Sequence, residues 1–179
     1  LQSLCEAAQH PRLTVLQAME RTGKKAIGWF PLYAPEEIIA AAGFLPVGMW
    51  GGSALPQACS RYLQSFCCSI MRANLEQGLR GDYGMLSAVV IPTFCDTLKC
   101  MCENWRSISS LPPAIPMVYP QNSKVKAGED YLTEELYRVS VEIAALAGKP
   151  VSEQALEDCF AVYEQGRILQ RQFTELVAL

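Results

Sequence analysis

The chain has 179 residues, 50% of them hydrophobic, 9% aromatic and 18% charged, a balance that belongs to a folded globular protein and excludes a disordered or low-complexity segment. Fifteen basic residues against eighteen acidic ones leave a formal net charge of -3, which offers no electrostatic footprint for a phosphate backbone and argues against a nucleic-acid partner. His10 is the only histidine, so a mechanism that needs two histidines is excluded unless another chain supplies one.

Taken in chain order, an opening helix is expected from about Leu4 to Arg21, ended by Thr22-Gly23. Lys25 to Phe30 reads as a buried strand that stops at Pro31. Pro35 suits the first position of a helix, with Glu36 and Glu37 in the first turn where the macrodipole favours acids and Gly43 as C-cap. Leu45 to Trp50 is a second strand and Gly51-Gly52-Ser53 a loop. Pro56 to Leu79 reads as one long helix with apolar positions at Leu63, Phe66, Ile70 and Ala73. Leu86 to Ile91 is uncharged, rich in β-branched residues and too short for a helix, hence a third strand. Asp96 and Thr97 can cap a helix running to about Ile108, and Ala114 to Tyr119 forms a fourth strand. Two helices follow, Glu129 to Ala147 and Ser152 to Val177, joined by Gly148-Lys149-Pro150, with Ser152 as N-cap. No internal repeat interrupts the order.

Strands alternating with helices indicate an α/β fold: a four-stranded parallel sheet, Rossmann-like or flavodoxin-like, flanked by helices. The expected division is an α/β lobe over residues 1–127 with its N-terminal helix, and a C-terminal helical hairpin over 128–179 packed on the same lobe. Ile38 to Pro56 carries no formal charge, but its glycines and prolines break it, so a membrane span is not expected. The opening residues lack the order of a secretory signal. A soluble chain is expected, and the missing initiator Met suggests a trimmed chain or a piece of a longer one.

In an open parallel sheet, ligands sit beyond the carboxyl ends of the strands. Cys95 follows the third strand and opens a helix, where a thiol faces the positive end of a dipole, suited to metal ligation or nucleophilic work. Cys102 shares a helical face with Leu98 and Trp105 and reads as core. Cys67 and Cys68, adjacent on the long helix, would diverge by about 100 degrees. Cys95, Cys100 and Cys102 have no zinc spacing, and a chain of this size needs no disulfide framework. An iron–sulfur cluster is the best chemical use for a few convergent thiolates. Glu36 and Glu37 are candidate acid/base groups, weighed against the plainer role of helix-start acids. No G-x-G-x-x-G after the first strand, Walker loop or G-x-S-x-G elbow is present, so nucleotide and serine-hydrolase readings lack their parts.

Several runs taken together, in this order, carry a resemblance. Pro35 to Gly43 (PEEIIAAAG), Leu45 to Gly52 (LPVGMWGG), Tyr62 to Ser69 (YLQSFCCS), Val90 to Leu98 (VIPTFCDTL) and Tyr119 to Asn122 (YPQN) resemble the 2-hydroxyacyl-CoA dehydratase and benzoyl-CoA reductase family. The resemblance covers nearly the whole chain, yet family subunits have two similar lobes, so this chain looks like the first of them. It implies a [4Fe-4S] cluster held by three cysteines, two of them Cys68 and Cys95 by motif position and the third in the other lobe. It makes Glu37 the acid near the substrate thioester. It further implies an acyl-CoA substrate, a homologous partner subunit, an ATP-dependent iron–sulfur activator and a cytoplasmic setting. The implied chemistry is one-electron reduction of the thioester carbonyl to a ketyl, which expels the 2-hydroxyl and acidifies the β-hydrogen. Benzoyl-CoA reductases and a double-cubane-cluster reductase are the rival enzyme readings, the latter using Cys67, Cys100 and Cys102. An isolated scaffold or interaction domain with packing cysteines is the non-enzymatic one.

Overall fold

The computed structural model describes residues 2–31, 33–52 and 55–177. Its elements in chain order are α1 (Gln2–Gln9), α2 (Pro11–Thr22), β1 (Ala26–Trp29), α3 (Glu36–Ala41), β2 (Leu45–Gly48), a 3-10 turn (Ala58–Arg61), α4 (Ser69–Leu79), β3 (Leu86–Pro92), α5 (Asp96–Ser107), β4 (Ala114–Met117), α6 (Lys126–Ala147) and α7 (Glu153–Val177). Ser53 of the expected loop lies outside the described residues.

Among the described residues the strands form one four-stranded sheet, all parallel, in the order β2-β1-β3-β4. That is the flavodoxin-type order, with the direction of winding reversing between β1 and β3. The central strand β3 is buried on both faces, which explains its continuous apolar run. Val89 and Ile91 join one hydrophobic cluster with α4 and α5, while Ala88 and Val90 join the other with α3 and α6. Ser87 is an extra residue at a register shift opposite β1, so Leu86 falls on the same side as Val89 and Ile91. Gly28 of β1 makes this close packing possible, since a Cβ there would stand 2.6 Å from the Met49 sulfur and 2.8 Å from Leu86.

Several expected elements are altered, each for a local reason. The opening helix is two helices, because Pro11 has no N–H and pushes His10 out of helical backbone (φ -128, ψ 58). Pro35 is the N-cap of α3 rather than its first residue. Gly43 follows the C-cap with φ +91, and the Gly43 and Phe44 N–H groups bond back to Ala40 and Ile39 at 2.9 and 3.2 Å, a Schellman turn that needs glycine. Cys95, not Asp96 or Thr97, caps α5. Ser152 does cap α7, its hydroxyl accepting the Ala155 N–H at 3.2 Å. The largest departure is Pro56 to Leu79, where continuous helix begins only at Ser69. The preceding residues form a turn and an irregular connection that leaves Phe66 exposed while Leu63 is buried, and Ile70, in the first turn of α4, is also exposed.

α6 lies across the sheet with Val139 and Ile143 fully buried, and α7 packs on α3. The start of α6 presses on the segment after β4: a Cβ on Gly128 would be 2.1 Å from the Asn122 carbonyl oxygen. Gly128→Ala is therefore expected to destabilise the fold by about 1–3 kcal/mol, lowering the melting temperature by about 2–4 °C per kcal/mol. Gly166, in the interior of α7 with nothing within 4 Å, is the control: Gly166→Ala should match or exceed wild type by up to about 1 kcal/mol. Thermal unfolding followed by circular dichroism decides; equal melting of Gly128→Ala and wild type would contradict the packing described.

Candidate functional site

Every parallel strand is followed by a connection that runs back along the sheet, so α3, α4, α5 and α6 all begin at one rim, beyond the carboxyl ends of β1 to β4. Cys68 is the N-cap of α4 and Cys95 the N-cap of α5. These two helices pack on each other and on the same face of the sheet. Both thiols are exposed, and the Cys95 sulfur accepts the Leu98 N–H at 3.4 Å. The fold thus brings the helix ends that carry the two expected ligands to one rim, each where unpaired N–H groups and the helix dipole favour negative charge.

The other cysteines separate by burial. Cys67 lies in the core while Cys68 faces out, because Cys67 precedes the helix; the expected divergence along a helix is replaced by the bend into the cap. Cys102 is buried with Leu98 and Trp105, and burial, with Glu103 adding, pushes its thiol up to about 11. Cys59, which the sequence did not single out, is fully buried, and its thiol is pushed up by burial and by the Glu76 carboxylate. Among the described residues no three His, Cys, Asp or Glu side chains converge closely enough to hold a metal.

A buried carboxylate fastens the segment leading to Cys68. Glu76 of α4 accepts the Gln57 N–H at 2.8 Å and the Cys59 N–H at 3.0 Å, and Arg80 at 3.2 Å. Arg80 also reaches the Leu55 carbonyl, Arg72 reaches Ser60 and Ser65, and Asn104 of α5 holds the Tyr62 carbonyl at 2.7 Å. These bonds satisfy backbone groups of a segment that makes few helix hydrogen bonds of its own. Burial works to raise the Glu76 carboxyl, but the Cys59 and Gln57 N–H groups and Arg80 outweigh it and hold it below the ordinary carboxylate range.

Glu37 belongs to the opposite face. Its carboxylate, 16% exposed, meets the Arg167 guanidinium of α7 at 2.8 Å, and Arg167 also holds Glu164 at 2.9 Å. Neighbouring Glu36 is raised by burial and by Glu37, with Arg167 opposing. Burial, then Glu36 and Glu37, push the Tyr163 hydroxyl up to about 12. Glu37 is thus a paired carboxylate at the α3–α7 contact, beginning at the same rim as the thiols. A cavity of about 730 Å3 lies elsewhere, along the outer edge of β2 and α2, lined by Leu13, Leu16, Met49, Trp50 and His10 among others, and includes none of Glu37, Cys68 and Cys95.

Comparison with known proteins places this geometry in context. A family model described as 2-hydroxyglutaryl-CoA dehydratase, D-component, matches residues 31–179. The chain is 36% identical over 174 residues to the (R)-phenyllactyl-CoA dehydratase beta subunit of Clostridium sporogenes, covering 97% of this chain and 46% of that one. It is 36% identical to the lactoyl-CoA dehydratase beta subunit of Anaerotignum propionicum, over 99% of this chain and 47% of that one. With a benzoyl-CoA reductase subunit of Thauera aromatica it shares 30% identity over 82% of this chain and 38% of the relative. The chain therefore spans about half the length of the curated relatives it matches.

The Glu76 anchor has a pH signature. A carboxyl held low in the fold contributes stability that is complete above the ordinary carboxylate range and is lost as pH falls through its folded value. Glu135, lowered by Arg138 against burial and helped by the Val118 N–H, adds in the same direction. Glu76→Ala, which strands two N–H groups, should lose about 2–4 kcal/mol at neutral pH. Glu76→Gln should lose less and show a flatter decline between neutral pH and pH 3. Denaturant midpoints across that range test both, and an unchanged acid slope in Glu76→Gln would refute the anchor.

Proposed function

The chain belongs to the 2-hydroxyglutaryl-CoA dehydratase D-component family, and from that membership we propose that it is the first, cluster-binding lobe of a subunit that acts on acyl-CoA thioesters, removing water from a 2-hydroxyacyl-CoA to give a 2-enoyl-CoA. The observation that carries this reading is the pair of exposed thiols at the amino ends of α4 and α5, Cys68 and Cys95.

The donor set suits a [4Fe-4S] cluster: two thiols stand uncovered at positive helix ends, with the third ligand assigned to a region outside this chain, in keeping with relatives about twice as long. When bound, such a cluster supplies one-electron reduction and, with three thiolates, an iron left open as a Lewis acid. Cys68 and Cys95 would hold it, the Leu98 N–H bonding to the Cys95 sulfur and the Glu76, Arg72 and Asn104 contacts holding the approach to Cys68 in place. Glu37 is the acid/base residue of the reading. Arg167 keeps one carboxylate oxygen engaged, which orients the other for accepting a proton from the substrate's β-carbon, the neighbour of the carbon that bears the departing hydroxyl. A homologous partner subunit, an ATP-dependent iron–sulfur activator and a cytoplasmic setting complete the proposal. No helix among the described residues is long and apolar enough to cross a membrane.

Two rival readings are weakened by burial and by likeness. A double-cubane cluster would call on Cys67 and Cys102, both of which are core residues. An aromatic-ring reductase has support from the benzoyl-CoA reductase relative, at lower identity and coverage than the dehydratases.

Anaerobic reconstitution with ferrous iron and sulfide, on this chain and on any longer natural form of it, tests the ligands. Cys68→Ala and Cys95→Ala should each lose most of the bound iron and the visible charge-transfer absorption, while Cys100→Ala keeps both. Iron binding by both variants at the wild-type level would overturn the assignment, and a chain colourless in every form would favour the scaffold reading. In the assembled, activated enzyme, Glu37→Gln should lower turnover by about 10^2–10^4-fold with iron content unchanged; undiminished turnover would remove Glu37 from its role.

A further inference from the structure

Three aromatic residues stand over the carboxyl ends of β1, β3 and β4: Tyr33, Phe94 and Tyr119. Their ring centroids are 5.7 Å (Tyr33–Phe94), 6.0 Å (Tyr33–Tyr119) and 6.3 Å (Phe94–Tyr119) apart, each pair edge to face. Phe94 packs against the hydrophobic cluster on one side of the sheet and Tyr119 against the cluster on the other, so both rings are anchored. Tyr33 rests on the two of them and is 69% exposed.

Its backbone is held in an unfavourable state. Tyr33 has φ +67, the one positive φ at a non-glycine residue among those described, which costs of order 1–3 kcal/mol for a bulky side chain. The Tyr119 hydroxyl donates to the Tyr33 carbonyl and so holds the turn. Burial, then Tyr33, push that hydroxyl up to about 12, keeping it a donor at neutral pH. Core packing does not account for a strained backbone that carries a ring outward. The place does: the platform sits where β1 and β3 part, the crevice in which such sheets take ligands, and Phe94 adjoins Cys95 in the chain.

We propose that Tyr33, backed by Phe94 and Tyr119, is the floor of the acyl subsite, a platform for flat or bulky uncharged acyl groups, above all aryl ones, of a CoA thioester; this rests on the thioester reading above. The platform is built of tyrosine and phenylalanine rings, whose faces carry negative potential, so an apolar ring is attracted edge to face while an acyl chain ending in a second carboxylate is repelled.

The test uses the metal-free chain, with 3-phenylpropionyl-CoA and glutaryl-CoA as probes, followed by titration calorimetry and by saturation transfer from protein to the phenyl protons. Wild type should prefer the phenyl probe by at least about 2–12-fold, the span of one aromatic pairing. Tyr33→Phe should keep that preference. Tyr33→Gly should abolish it while raising the melting temperature, because glycine accepts the positive φ; a purely structural tyrosine would not move binding and stability in opposite directions. Equal binding of the two probes, or a Tyr33→Gly chain that keeps the preference, overturns the platform alone. If neither thioester binds wild type, the thioester reading itself falls and the platform with it.

Discussion

The constraint on which the rest depends is the double burial of β3. A strand covered on both faces needs helices on both sides of the sheet, and in a parallel sheet each of those helices must return from the far end. Their amino ends are therefore delivered to a single rim. α4 and α5 arrive on one face and α3 and α6 on the other, and that geometry, before any particular side chain, concentrates helix dipoles and chain turns where chemistry can use them.

Position on this frame sorts residues of one kind into different roles. Among the cysteines, Cys59, Cys67 and Cys102 fill the core as small apolar groups, whereas Cys68 and Cys95 occupy caps and stay exposed. Cys67 and Cys68 are neighbours in the chain and opposite in fate, because the bend into α4 falls between them. Carboxylates divide likewise: Glu76 is sunk in the fold and spends its lone pairs on backbone N–H groups, while Glu37 stays at the rim with an arginine partner. The first carboxylate holds a loop and the second ties α3 to α7.

Order at the rim is maintained by a small number of long-range bonds rather than by regular structure. The approach to Cys68 carries little secondary structure of its own, yet Glu76, Arg72, Arg80 and Asn104 pin it at successive points. Val118, just after β4, is pinned similarly by Glu135 at 2.8 Å. Irregular segments held by buried or partly buried polar groups keep a defined shape without presenting the closed surface of a helix.

Local patterning alone determined the four strands, the central run 86–91, the helices after β3, the core role of Cys102 and the placing of Cys95 at a helix start, because each depends on neighbours within a turn or two. The family, too, was legible, in short motifs set in order. Tertiary structure decided what depends on distant partners. Glu76 acts across 17 and 19 residues to pin the loop that stands where the start of α4 was expected, and Arg167 reaches Glu37 across 130. Tyr33, Phe94 and Tyr119 meet only because β1, β3 and β4 lie side by side in the sheet. Helix periodicity reports which side chains could share a face, but it carries no information about a carboxylate or a ring that another part of the chain brings to the backbone.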